Sequence, residues 1–73
     1  MPRKKRDIRR DYRATGFTER QGKGDHTVFT HPLVRDHYAV DGSDRLDAER
    51  YDEKNLRDAR RALAEAKRKQ GQP

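Results

Sequence analysis

Apolar side chains are scarce in this chain, and that scarcity limits what it can fold into. Of its 73 residues 29% are hydrophobic, and seven of those are alanine, which leaves fourteen larger apolar side chains to form a core. So few support one small domain spanning residues 1–73, with residues 1–3 and 70–73 expected to fray. A core of that size predicts marginal stability alone and a gain in stability from any partner that binds only the folded state.

The apolar residues that exist are placed with two different rhythms. Ile8 and Tyr12 stand four apart and predict a first helix over about 4–15, stopped by Gly16. From Phe17 the period shortens. Phe17–Gln21 reads as a strand, Gly22-Lys23-Gly24-Asp25 as a turn, and His26–His31, rich in β-branched and aromatic residues, as the strongest strand. Pro32 ends it, and a third strand is expected at about 36–40 with Tyr38 and Val40 on one face. Residues 41–53 are polar and acidic and predict an exposed loop, after which Asp52 would cap a helix over roughly 53–69. Leu56, Ala59, Ala62, Leu63 and Ala66 give that helix its apolar stripe. The expected fold is α+β, in the order α-β-β-β-α, with two helices on one face of a three-stranded antiparallel sheet.

Charge is divided along the chain as well. Residues 1–13 hold seven Lys or Arg against two acids, residues 54–73 the same, and residues 14–53 five against nine. Two basic ends around an acidic middle suit a polyanion or an acidic protein partner. No cysteine is present, so disulfides and thiolate metal sites are excluded. No apolar run approaches the length of a membrane span and no signal-peptide core follows the basic start. These features predict a soluble, cytoplasmic protein.

Proton chemistry points to one residue. The Gly22-Lys23-Gly24 bend leads directly into Asp25-His26 at the head of the second strand. Glycines let a phosphodiester approach the backbone, Lys23 with Arg20 can meet its charge, and histidine titrates near neutral pH. In RNA the 2′-hydroxyl lies beside the scissile phosphate, so a base that removes its proton is enough to start cleavage, with no metal and no protein nucleophile. His26 is the candidate base or acid, with Asp25 as an orienting acceptor. The plain alternative is a turn histidine bonded only to backbone.

These residues also resemble a family. Gly16-Phe17, Arg20-Gln21, Lys23-Gly24, His26, Phe29 and His31-Pro32 are similar in order and spacing to the HicA toxins of bacterial toxin–antitoxin pairs. The family signature is a glycine-serine-histidine step on the second strand, a phenylalanine three residues on, and often a His-Pro. The resemblance covers residues 7–40 and the last helix by position and length. It implies a double-stranded-RNA-binding-domain-like fold, a messenger-RNA-cleaving activity with His26 as its catalytic histidine, no cofactor, and neutralisation by a HicB-like antitoxin. Two departures stand out. Asp25 occupies the usual serine position, where a carboxylate would favour the imidazolium form of His26 and repel phosphate. The acidic segment 41–53 is longer than the family's connection.

The remaining candidates are weighed on the same terms. His31, before a proline at a strand end, reads as structural, and His37, opposite Tyr38, as exposed. No spacing among the three histidines matches a metal-ligand pattern. Tyr12, Phe17 and Phe29 read as core and Tyr51 as an exposed aromatic. Among the helix bases, Lys4, Lys5 and Arg9 at the start and Arg57, Arg60 and Arg61 at the end are expected phosphate contacts, with Arg3, Arg6, Arg10, Lys67 and Arg68 adding to them. Two rivals to the endoribonuclease reading are an RNA-binding module of the same fold without the reaction, and a small DNA-binding protein.

Overall fold

A computed structural model describes residues 3–71. Helix α1 runs Lys5–Thr15, strands β1, β2 and β3 run Thr18–Gln21, Thr27–His31 and Val34–Val40, and helix α2 runs Arg50–Gln70. The fold is α+β in the order α-β-β-β-α, and the sheet is antiparallel in the order β1-β2-β3.

Local chemistry accounts for the element ends. At the start of α1 the Asp7 carboxylate accepts the Lys4 N–H at 3.0 Å, satisfying a donor that the helix leaves free. Gly16 closes α1 at φ 107°, a left-handed conformation that glycine adopts without a Cβ penalty, and its N–H reaches the Arg13 carbonyl. Pro32 and Leu33 make a tight turn between His31 and Val34, so β3 starts two residues before the expected position. Helix α2 also starts early. Glu49 is its N-cap, and Asp52, expected to be the cap, stands three residues inside and accepts the Glu49 N–H at 2.8 Å.

The register explains which face is buried. Thr27 pairs with Val40 and Phe29 with Tyr38, so these four side chains point to one side of the sheet. Both helices cover that side. Ile8 and Tyr12 of α1, Leu56, Ala59 and Leu63 of α2, and Phe17, Phe29, Val34 and Val40 form one buried cluster. Tyr12 lies flat on Phe29 with ring centroids 4.5 Å apart, and Phe17 meets Tyr12 edge-on at 5.6 Å. Aromatic rings therefore supply much of the volume that the shortage of aliphatic residues leaves open.

Two expectations about charged residues are corrected by this packing. The inward face of α1 holds Lys5 and Arg9 alongside Ile8 and Tyr12, because all four fall on one helical stripe. Lys5 is 4% exposed and Arg9 6%, so neither is on the surface as a phosphate contact. Lys5 Nζ lies 3.2 Å from the buried Asp52 carboxylate and couples α1 to α2. The acidic segment after β3, expected as a free loop, is stitched to the chain before α1. Ala48 N–H donates to the Arg3 carbonyl at 2.6 Å, Lys5 N–H to the Leu46 carbonyl at 2.8 Å, and Lys4 Nζ meets Asp47 at 2.6 Å. Of the ends expected to fray, residues 1–2 and 72–73 lie outside the described residues; Arg3 pairs with Asp11 and Glu53, and Gln70 is the last residue of α2.

Candidate functional site at the β1–β2 turn

The turn is built by its glycines and lysine. His26 N–H donates to the Lys23 carbonyl at 3.0 Å and Gly22 N–H to the His26 carbonyl at 2.7 Å. Gly24 sits at φ 60°, the positive value a tight hairpin turn requires at this position, and space around it is open. Gly22 has a different task. A Cβ there would lie 3.0 Å from His26 Cδ2 and 3.1 Å from the His26 carbonyl oxygen. The missing side chain of Gly22 is the room in which the imidazole sits.

The other edge of that ring faces β3. His26 Nδ1 lies 3.7 Å from Asp41 Oδ1, with the His26 side chain 42% exposed and that of Asp41 73%. The pair continues the ladder one step past Thr27–Val40, on the side of the sheet that carries no helix. Asp25 is not the partner. It lines a polar hollow with Arg9, Arg13, Glu19 and Asp44 on the helix side, and its backbone carbonyl is taken by Arg9.

Arg9 holds this end of the sheet from within. Its guanidinium donates to the Asp25 carbonyl at 2.7 Å and to Thr27 Oγ1 at 3.1 Å, the residues on either side of His26. It also donates to the Val40 carbonyl at 3.2 Å and the Gly42 carbonyl at 2.6 Å, the residues on either side of Asp41. A contact to Asp44 at 2.7 Å completes the set. A planar fork of five N–H donors is suited to such a junction, and a lysine could not reproduce it.

The expected nucleic-acid contacts fall into separate groups. Arg20 and Lys23 are exposed on the same hairpin as His26, and Arg20, opposite Val28, shares the helix-free face. Neither has a carboxylate within ion-pair distance among the described residues. Arg57 and Arg61 are exposed and likewise unpaired among the described residues, while Arg60 lies 3.4 Å from Asp11. These three belong to α2, in the helix layer, so the sheet separates them from His26. Lys4 is engaged by Asp47. His31 is structural: its Nδ1 accepts the Leu33 N–H at 3.0 Å and its ring stands edge-on to Phe17 at 5.4 Å. His37 is exposed, and Tyr51 is exposed beside Lys5, whose Nζ is 5.6 Å from its ring centre. Among the described residues no three His, Asp or Glu side chains converge as a metal site, and no helix is long and apolar enough to cross a membrane.

The arrangement therefore offers a half-exposed imidazole, a carboxylate 3.7 Å from one of its nitrogens, and two cations on the same hairpin with no ion-pair partner among the described residues. Sequence reasoning singled out His26, Arg20 and Lys23 and read Gly22 as a turn residue; it did not single out Asp41 or the clamping contacts of Arg9. Comparisons with protein-family models, with curated proteins and with solved structures give no match to this chain.

Proposed function

We propose that this protein is an endoribonuclease that cleaves messenger RNA without a metal ion, the toxin of a HicA-type toxin–antitoxin pair, held inactive by a HicB-like antitoxin. The observation that carries the reading is the His26 ring, half-open to solvent between Gly22 and Asp41, on a hairpin that also carries Arg20 and Lys23, which have no ion-pair partner among the described residues. The α-β-β-β-α order supports this reading, because the family resemblance leads to that order, and His26 immediately precedes β2.

The reaction follows from the substrate. His26 takes the proton of a ribose 2′-hydroxyl, the 2′-oxygen bonds to the adjacent phosphorus, and the bond from phosphorus to the 5′-oxygen of the next nucleotide breaks. That oxygen takes up a proton from water, leaving a 2′,3′-cyclic phosphate and a free 5′-hydroxyl. Arg20 and Lys23 offset the charge that builds on the phosphoryl oxygens, and Arg57 and Arg61, across the sheet from His26, contact phosphates further along the RNA. With cations on two faces of the molecule, RNA affinity depends steeply on salt.

Asp25, which motivated a binding-only alternative, directs its side chain to the opposite face from His26 and so places no added charge against the imidazole. Expression in bacteria tests the choice. Wild-type protein arrests growth and His26→Ala does not, while both shift RNA in a gel. Equal growth of both strains, with RNA binding retained, would establish the binding module instead.

A further inference from the structure

The ring of His26 has two nitrogens, and the structure treats them differently. We propose that Asp41 fixes His26 as the tautomer protonated at Nδ1, so that Nε2 is the atom that takes the 2′-hydroxyl proton, and that Arg9 is the positioning residue that makes this possible. The inference rests on the endoribonuclease reading for its catalytic consequence. Its geometric part stands alone.

Two contacts define the ring. Asp41 Oδ1 lies 3.7 Å from Nδ1, on the β3 side. On the β1 side the Cδ2 edge, next to Nε2, occupies the space above Gly22. A ring held between these neighbours has Nδ1 towards the carboxylate and Nε2 on the edge away from it, in a side chain that is 42% exposed. A carboxylate beside one ring nitrogen draws the proton there, leaving the lone pair on the other nitrogen to act as base. The separation is longer than a hydrogen bond, as is common in a catalytic pair before substrate arrives.

Among the described residues no hydrogen bond holds the Asp41 side chain, which is 73% exposed. Its position comes from the backbone, and the backbone on both sides is held by Arg9 through the Val40 and Gly42 carbonyls. The same guanidinium fixes His26 through the Asp25 carbonyl and Thr27 Oγ1. One buried side chain thus spans the ends of two strands and sets the distance between base and carboxylate. Arg9 touches neither ring nor substrate and acts through these segments. That accounts for a guanidinium turned inward on α1.

The test combines a spectroscopic readout with cleavage of an RNA oligonucleotide. Nitrogen chemical shifts of the neutral His26 ring report which nitrogen carries the proton. Wild-type protein is expected to be protonated at Nδ1, and Asp41→Ala to move the proton substantially to Nε2. Asp41→Asn, which still offers a side-chain oxygen, is expected to keep the wild-type tautomer. Asp41→Ala should lower kcat about tenfold at unchanged KM, with Asp41→Asn recovering most of the loss. Arg9→Lys, which keeps the charge but not the fork, should give the same kcat loss. Because Asp41 is exposed, its variants fold whatever Arg9→Lys does. An unchanged tautomer in Asp41→Ala, or a kcat within twofold of wild type while His26→Ala is inactive, would overturn the positioning role. Full cleavage by His26→Ala would overturn the catalytic role of His26, and no cleavage by the wild type would overturn the endoribonuclease reading, while the tautomer measurement would still decide the part played by Asp41.

Discussion

Two glycines in one turn do separate jobs at the residue scale, and substitution distinguishes them. Gly24 is needed for its positive φ, with nothing near its absent side chain. Gly24→Ala forces an L-residue into the left-handed region and is expected to cost about 1 kcal/mol of stability while leaving cleavage within about twofold. Gly22 is needed for space. Gly22→Ala is expected to cost about 1–3 kcal/mol through overpacking and to lower cleavage about tenfold, because the ring that must shift is His26. Denaturant unfolding and oligonucleotide cleavage on both variants read the difference. Equal cleavage losses would contradict it. The sequence shows both glycines flanking a lysine, but not which one faces the histidine, since that depends on the register of the pairing strand.

Element placement was legible where rhythm or a stop signal exists. The 3.6-residue stripe of α2, the β-branched run of β2 and the glycine after α1 each place their element within a few residues. Strand register was not legible. Counting back from the His31–Val34 turn in regular pairing puts Ala39 opposite His26. A shift of two residues between Phe29 and His31 brings Asp41 there instead. That irregularity leaves no mark in composition, and it hides the carboxylate from sequence reasoning. The inward turn of Lys5 was equally hidden, because its partner Asp52 lies on an element far along the chain. This buried pair joins the helices and predicts an asymmetry. Asp52→Ala leaves the Lys5 ammonium uncompensated and is expected to cost about 3–5 kcal/mol. The double replacement Lys5→Met with Asp52→Leu leaves no unpaired charge and is expected to cost only the lost capping bond to the Glu49 N–H, about 1 kcal/mol. Urea unfolding of the three proteins checks this; equal losses in the single and double variants would refute it.

At the scale of the molecule, pH should act from both ends of its range. The Lys4 N–H bonded to Asp7 holds that carboxyl below its ordinary 3.8, and Lys54 does the same for Asp58. A depressed carboxyl contributes stability above its unfolded value and loses it as pH falls through the folded one, so the melting temperature should drop below pH 3.8. Burial pushes the Tyr12 phenol well above its ordinary 10.0. A raised phenol contributes fully below that value and is lost as pH climbs past it, so the protein should also unfold in alkali above pH 10.0. Melting curves across pH check both, and retained stability in alkali would mean that Tyr12 ionises without unfolding the core. The central claim concerns the histidine at the open end of this small core. Its most direct test is cleavage by purified protein, with a metal chelator present, of one RNA and of the same RNA carrying 2′-deoxyribose at the cut position. The account predicts that the wild type cuts the RNA to a 2′,3′-cyclic phosphate and spares the deoxy-substituted strand, and that His26→Ala cuts neither. Cleavage of the deoxy-substituted strand, or undiminished cutting by His26→Ala, would contradict it.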